Sequence, residues 1–463
     1  LSAAYEKLSD HEEALAWTLK GVLGELPGNV DAAAGMGGGV PTGTDFWGLP
    51  WGLVWGPPGT GKTETVAEHL ATYARKSGNG KVMVATPTNN AADEMALRLK
   101  KLLDRIGGHS LDGGCLVYRG GQGAGIRVRK GFPECLSDKG YWKKHMEAAA
   151  KIEKLEGERE MAIRTGERAK AARLAQEIRA LRDSLTDETQ FVIDGGQARI
   201  IIVTTFKALL LAAKGELVRR FESIMVDEAG MVSRAVAGVI ATMGQRVFLA
   251  GDPKQIGPIF KSPQGVPSEV KKWILFSGLS HLKSARAAAS NPMVKLLRVQ
   301  HRMHPEISRA VSEYTYEGLL VDGEGVIAAA RQPIAKSKLP RARAAWVQFD
   351  SIMKTPAEAF AQRVKHGTGY VRPLSAEICA TLADAAIRDG REVLILTPYR
   401  AQAKTIRKNL GQHPGKAIMV GTIHRHQGAE RSVVIVDLVN GANRWSEADV
   451  HMIVNVAMSR AKD

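Results

Sequence analysis

A chain of 463 residues is too long for one ordinary hydrophobic core and is expected to hold two to four domains. Its hydrophobic content of 44% and charged content of 24% match a globular protein, and no uncharged apolar run of about eighteen residues suggests a membrane span. The formal charge of +16 points to a polyanionic partner, nucleic acid before membrane, because no basic amphipathic helix stands beside an apolar anchor.

The three cysteines, Cys115, Cys135 and Cys379, are too few and too scattered for a disulfide framework or a four-ligand zinc site. The twelve histidines show no metal-ligand spacing either. Reduced thiols in a soluble intracellular protein without structural zinc are therefore expected, cytoplasmic or nuclear in a eukaryote. The chain starts at Leu1 rather than methionine and stops at Ala461-Lys462-Asp463, which reads as a piece of a longer protein.

Helical periodicity over residues 5–25 leads into a flexible glycine-rich approach, Gly35 to Gly43, and then a short apolar strand, Trp51 to Trp55. Gly56-Pro57-Pro58-Gly59-Thr60-Gly61-Lys62-Thr63 follows, a complete G-x-x-x-x-G-K-[ST] phosphate-binding loop that runs on through Glu64 into a helical pattern. Glycines let backbone N–H groups close round phosphates, and the next helix turns its positive end toward them. Lys62 is then placed to reach the β- and γ-phosphates of a nucleotide, and the Thr63 hydroxyl to ligate Mg²⁺.

A second buried strand spans Lys81 to Thr88, with a helix from Ala91 to about Leu103. Alternation of strand and helix is what a parallel sheet requires. A glycine- and arginine-rich stretch over 113–131 carries a short strand, Cys115 to Tyr118. Tyr141 to Leu185 then turns to dense Lys, Arg, Glu and Ala with leucines at helical spacing, broken near Thr165-Gly166. This predicts a two-helix stalk, a solvated insertion without a catalytic role.

The sheet resumes with strands at 199–205, 223–228 and 246–252, each ending in polar residues. Ligands of open α/β sheets sit beyond the carboxyl ends of the strands, so these ends should gather round the phosphate loop. A second α/β region begins near Ala287, with strands at 392–396, 417–420 and 433–437.

Asp227-Glu228 closes the strand 224–226 as paired carboxylates: Asp227 for the Mg²⁺ shell, Glu228 to polarise the attacking water. Gln255, in Gly251-Asp252-Pro253-Lys254-Gln255, offers an uncharged amide that could sense the γ-phosphate, although a lone glutamine is more often a surface residue. No Ser-His-Asp order or glycosidase carboxylate pair competes.

With these blocks in order the chain resembles the superfamily 1B helicases of the up-frameshift type, which also include senataxin and the immunoglobulin-mu-binding helicase. The resemblance rests on GPPGTGKT at 56–63, ATPTNNAADE at 85–94, VTT at 203–205, VDEA at 226–229 and GDPKQIGP at 251–258. It continues through QHRMHPEI at 300–307, TPYRAQ at 397–402, GTIHRHQGAE at 421–430 and NVAMSRAK at 455–462. It covers nearly the whole chain.

The resemblance implies an α/β protein of two RecA-like P-loop domains with parallel sheets, ATP in the cleft between them, and a helical stalk in the first. The first domain would take residues 1–112 and 196–285, its insertion 113–195, and the second domain 286–463, truncated at its end. Arg302 and Arg460 are then expected as arginine fingers, His301 against the adenine, Glu430 at the ribose. Thr86, Pro87, Thr88, Asn89, Thr204, Thr205, Thr397, Pro398, Tyr399 and Thr422 match segments that grip the sugar-phosphate of a single strand, although an N-cap or turn is the commoner role of a threonine taken alone.

The chain departs from the family in carrying His301 for a tyrosine, Trp55 and Met231 where glutamines are usual, and His426 for an aromatic residue. The implied activity is an ATP- and Mg²⁺-dependent 5′-to-3′ helicase or translocase on single-stranded RNA or DNA. An ATPase clamp that does not separate strands, and a binding module that no longer turns over ATP, are the alternatives. Contacts to backbone leave RNA and DNA equally open.

Overall fold

The computed structural model describes residues 45–462 except 77, 112–113, 121–122, 145, 184–186, 214–216, 259–264, 331–343, 346–359, 365–368, 412–416, 424–429 and 440–446. The N-terminal helix, the glycine-rich approach and His426 lie outside the described residues. Two compact units form: the described residues within Leu1–Leu53, Thr63–Ala250 and Phe260–Leu279, and those within Val54–Lys62, Gly251–Ile259 and Ser280–Asp463.

In the first unit, apolar runs buried on both faces build a mixed-order sheet, as parallel strands between helices require. Its strands are β1 (Trp51–Trp55, in this unit as far as Leu53), β2 (Val82–Thr86), β5 (Val117–Arg119), β6 (Ile200–Thr204), β7 (Phe221–Val226) and β8 (Gly244–Gly251, in this unit as far as Ala250). A small antiparallel hairpin, β3 (Ser110–Leu111) with β4 (Gly114–Cys115), precedes β5. The order across the sheet is β5-β6-β2-β7-β8-β1. β2 pairs with β6 in parallel, Val82 to Ile200 through Thr86 to Thr204, and with β7 from Val82–Ser223 to Ala85–Val226. That register brings Thr86, Thr204 and Asp227 to one sheet edge, and Asp227 N–H donates to the Ala85 carbonyl at 3.0 Å.

The helices follow the same logic. α1 (Lys62–Arg75) leaves the phosphate loop, and α2 (Asn89–Arg105) starts at Thr88, whose hydroxyl caps Ala91 N–H at 3.2 Å. Between β5 and β6, α3 (Met146–Arg164) and α4 (Arg168–Asp183) pack through Ile152, Leu155, Leu174 and Ile178, residues at helical spacing. Gly166 takes the left-handed conformation (φ 78°) that ends α3, and Glu167 N–H returns to the Ala162 carbonyl at 2.8 Å. Surface pairs such as Arg182–Glu156 (2.7 Å) add little beyond that apolar seam. α5 (Thr205–Ala213) then follows β6 directly, with Thr204 capping Lys207 N–H.

The second unit holds the short strands β9 (Val294–Leu296), β10 (Val299–Gln300), β11 (Val321–Asp322), β12 (Gln362–Arg363) and β13 (Tyr370–Val371) and a three-stranded parallel sheet. In that sheet β14 (Val393–Thr397) lies between β15 (Ile418–Thr422) and β16 (Val433–Val436). Alternation on β14 divides the core: Val393 and Ile395 pack on α7 (Pro373–Arg388) and α8 (Arg400–Leu410), while Leu394 and Leu396 face α9 (Glu447–Met458) through Ile453, Val456 and Ala457. α6 (Pro305–Thr315), started by Pro305 after the His304 cap, completes the elements used below.

No described helix is long and apolar enough to cross a membrane. None of the three cysteines is in a disulfide; Cys135 and Cys379 are buried, and burial pushes both thiols well above the usual cysteine range.

Candidate functional site

In the first unit the carboxylates emerge from β7. Asp227 is buried (2% exposed) and its Oδ1 accepts the Glu228 N–H at 2.9 Å, while Thr63 Oγ1 donates to Oδ2 at 3.3 Å. That oxygen spacing is close to the separation of about 3 Å between neighbouring ligands of an octahedral Mg²⁺ held at roughly 2.1 Å. A hydroxyl and a carboxylate are hard oxygen donors, so the pair fits this ion, which would take its remaining ligands from water and phosphate.

Glu228 has φ 54° and ψ 37°. A left-handed backbone costs a non-glycine residue about 1–2 kcal/mol, and it turns this side chain away from the line of the strand that Asp227 continues. Met231 ends the single turn that follows, its N–H bonded to the Glu228 carbonyl at 2.9 Å. Glu64, in the first turn of α1, is bound by the Arg98 guanidinium, which also holds Glu94 at 3.0 Å.

The first unit's strand-binding candidates are not alike. Thr88 and Asn89 are exposed and Pro87 is half-buried, but Thr86 is buried and donates to the Thr88 carbonyl at 3.1 Å. Asn89 Oδ1 accepts from Arg119 at 2.7 Å. Arg119 is itself buried (1% exposed) and paired with Asp93 at 3.0 Å, whose second oxygen takes the Gly125 N–H at 2.7 Å. Thr204 and Thr205, half-buried, open α5 as cap and first residue.

The second unit holds the phosphate loop up to Lys62. Gly59 and Gly61 have φ 75° and 74°, where only glycine is unstrained, and a Cβ on Gly59 would stand 2.8 Å from Arg302 Cβ. A Cβ on Gly56 would meet Lys62 Cβ at 2.6 Å, so this glycine makes room for the lysine stem. Thr60 closes the loop on the Pro57 carbonyl (2.7 Å), Pro58 is buried, and Lys62 is 9% exposed. His301 is exposed; its N–H donates to the Gly59 carbonyl at 2.8 Å, and its ring lies so near Gly323 that a Cβ there would meet Nδ1 at 2.5 Å.

Gln255, Arg302, Glu430 and Arg460 come together in this unit. Arg460, 3% exposed, donates from Nη2 to Gln255 Oε1 at 3.1 Å and from Nε to the Val456 carbonyl at 3.0 Å. Arg302 donates to the Ser459 carbonyl at 3.2 Å and forms an ion pair with Glu430, which Lys462 also approaches at 3.3 Å. Among the strand-binding candidates here, Thr397 is fully buried and its hydroxyl has no hydrogen-bond partner among the described residues. Pro398, Tyr399 and Thr422 are half-buried, and the Tyr399 ring meets Tyr370 edge-on with centroids 5.4 Å apart.

Beneath Gln255 sits a group of residues that the motif reading did not single out. Asp252, 2% exposed, accepts Trp55 Nε1 and Lys254 N–H on Oδ1, both at 3.0 Å, and Gln255 Nε2 (2.8 Å) and Tyr316 Oη (2.6 Å) on Oδ2. Asn455 Nδ2 donates to Tyr316 Oη at 2.9 Å and to the Lys254 carbonyl at 3.1 Å. Burial raises the Asp252 carboxyl above its ordinary range, against the pull of these donors and of the Lys62 charge. Asp252 and Asn455 lie inside recognised blocks without an assigned task; Tyr316 lies in none, and its only sequence signal is an aromatic residue closing a helix.

Two family models, each described as an AAA domain, match residues 48–263 and 275–463. The chain is similar to the ATP-dependent helicase upf1 of Schizosaccharomyces pombe, 26% identical over 89% of this chain and 42% of the relative. It is similar to regulator of nonsense transcripts 1 of Dictyostelium discoideum (24%; 89% and 29%) and to DNA-binding protein SMUBP-2 of Rattus norvegicus (25%; 89% and 40%). The chain thus spans less than half the length of each of these relatives.

Proposed function

Because the chain belongs to the superfamily 1B helicases of the up-frameshift type, a family of ATP-hydrolysing enzymes, we propose that it is an ATP-dependent motor on single-stranded nucleic acid. In this reading it moves 5′ to 3′ and separates duplex that blocks its path. The observation that carries the proposal is the hydrogen bond from Arg460 to Gln255, made in the unit whose phosphate-loop Gly59 is packed against Arg302. A sensor amide and two guanidinium groups beside a phosphate loop suit a γ-phosphoryl group that gains charge as it transfers.

In this proposal, residues Gly56 to Thr63 hold the triphosphate and Lys62 neutralises its outer oxygens. Glu228 takes the proton of the attacking water, and Arg302 and Arg460 stabilise the charge that builds on the phosphoryl oxygens. Arg302 exchanges its Glu430 partner for phosphate, which leaves Glu430 to the ribose, and His301 offers its exposed ring to the base. Thr63 and Asp227 would hold Mg²⁺, which when bound neutralises phosphate charge. The exposed Thr88 and Asn89, with Thr204, Thr205, Pro398, Tyr399 and Thr422, contact the strand's sugar-phosphate, for which the +16 charge supplies salt-sensitive affinity. One named relative is a DNA-binding protein, yet backbone contacts of this kind serve RNA as well.

The test is ATP hydrolysis with matched single-stranded RNA and DNA at one salt concentration, beside displacement of duplexes bearing 5′ or 3′ tails. Stimulated hydrolysis and displacement from 5′-tailed duplexes alone are expected. Stimulation without displacement would turn the motor into a clamp, and a chain that hydrolyses no ATP would overturn the proposal.

A further inference from the structure

We propose that Tyr316 is a positioning residue for the γ-phosphate sensor: acting through the Asp252 carboxylate, it holds the Gln255 amide in the orientation that turns its carbonyl oxygen to Arg460. The inference rests on the reading of Gln255 and Arg460 given above, and it adds a residue that lies in no motif of the chain.

The argument begins with donor and acceptor counts. Gln255 Nε2 donates to Asp252 Oδ2 at 2.8 Å and Oε1 accepts from Arg460 at 3.1 Å. Turning the amide over would set its NH₂ against a guanidinium, which has only donors, and its oxygen against a carboxylate, which has only acceptors. The orientation is therefore held from both sides, and Asp252 holds its side only while it remains an acceptor. A carboxylate offers about four lone-pair sites, and here four donors meet it, two on each oxygen. No site remains for a proton, although a carboxyl buried to this depth otherwise favours the protonated form.

Tyr316 makes the shortest of the four contacts, 2.6 Å, and makes it on the same oxygen as Gln255. Its own oxygen accepts from Asn455 Nδ2, so the phenolic proton has one acceptor to go to, Asp252. The ring is fully buried and meets Trp55 edge-on at 6.5 Å, which restricts its rotation. Trp55 in turn supplies the indole N–H on Oδ1. Removing the phenol oxygen opens a lone pair on Oδ2, lets Asp252 take up a proton and become a donor, and leaves Arg460 alone to hold the Gln255 amide.

Tyr316→Phe and Gln255→Ala, singly and together, test this by steady-state ATP hydrolysis with saturating single strand. Tyr316→Phe is expected to lower kcat about tenfold, the scale of one buried hydrogen bond, with KM for ATP changed by less than about twofold. In the Gln255→Ala background the same change should have no further effect on kcat, because the residue through which Tyr316 acts is gone. Equal losses in both backgrounds, or a raised KM at unchanged kcat, would overturn the inference while leaving the motor reading intact. A wild-type chain without hydrolysis would overturn both. If Tyr316→Phe does not fold, Trp55→Phe, which removes a donor from Oδ1, enters the same two backgrounds with the same expected non-additivity, and additive losses there count against the inference.

Discussion

Asp227 in the first unit and Asp252 in the second are both buried carboxylates at the end of a strand, and their surroundings differ. Asp227, in the first, is a strand-end carboxylate whose hydroxyl neighbour Thr63 stands 3.3 Å away, a distance that suits two ligands of one cation better than a tight hydrogen bond. Asp252, in the second, is met by four donors at 2.6 to 3.0 Å, drawn from residues 55, 254, 255 and 316. One arrangement suits the reception of an ion, and the other fixes an orientation. The strained Glu228, next to Asp227, adds that the first unit gives up about 1–2 kcal/mol of backbone energy at the residue proposed as the general base.

That contrast can be broken by mutation. The largest effect is expected from Lys62→Ala, which should abolish measurable ATP binding in a nucleotide titration; retained affinity would remove the phosphate-loop assignment. Glu228→Gln should bind ATP normally yet lose roughly a thousandfold in turnover, as removal of a general base predicts, and an unchanged rate would falsify that role. Thr63→Val sharpens the distinction between the carboxylates. The Mg²⁺ concentration for half-maximal hydrolysis should rise at least about tenfold, whereas Tyr316→Phe should leave it where it is. A matching rise in both variants would mean that the two aspartates do one job.

Smaller effects should fall outside both sites. Leu155→Ala, in the seam between α3 and α4, should destabilise that helix pair by roughly 2–4 kcal/mol, read by hydrogen exchange, without altering ATP hydrolysis in the absence of nucleic acid. The last prediction concerns Lys81, beside the amino end of β2. Burial lowers its pKa from 10.5 to about 8, while its ammonium donates to the carbonyls of Val192, Gly196 and Ala198. The unfolded chain then binds more protons than the folded one between those values, so stability should rise as pH climbs from about 8 toward 10.5. Lys81→Met should flatten that slope, and a wild-type profile level across the window would contradict it.

Much of the local architecture was legible in advance. The alternation of apolar strands and helices is written in residues 51–104, and the left-handed glycines of the loop follow from its consensus. The adjacent pair Asp227-Glu228 could be placed at the end of a strand because an apolar run stops just before it. The threonines were harder. Thr88 and Thr204 cap helices, and Thr397 is sealed in the core, because a hydroxyl at a strand end serves solvent, backbone or interior according to neighbours that a motif does not reveal.

The amino-acid sequence by itself determined which groups this protein can bring to bear: a phosphate loop, paired acids, arginines in recognisable blocks and an excess of positive charge. These are properties of residue type and short spacing, which local backbone geometry converts directly into position. Only the tertiary structure decided that an indole from residue 55 and a phenol from residue 316 converge on Asp252, and that Arg460 meets a glutamine 205 residues away. Hydrogen bonds are directional and effective only near 3 Å, so their partners are chosen by the fold that brings distant segments together.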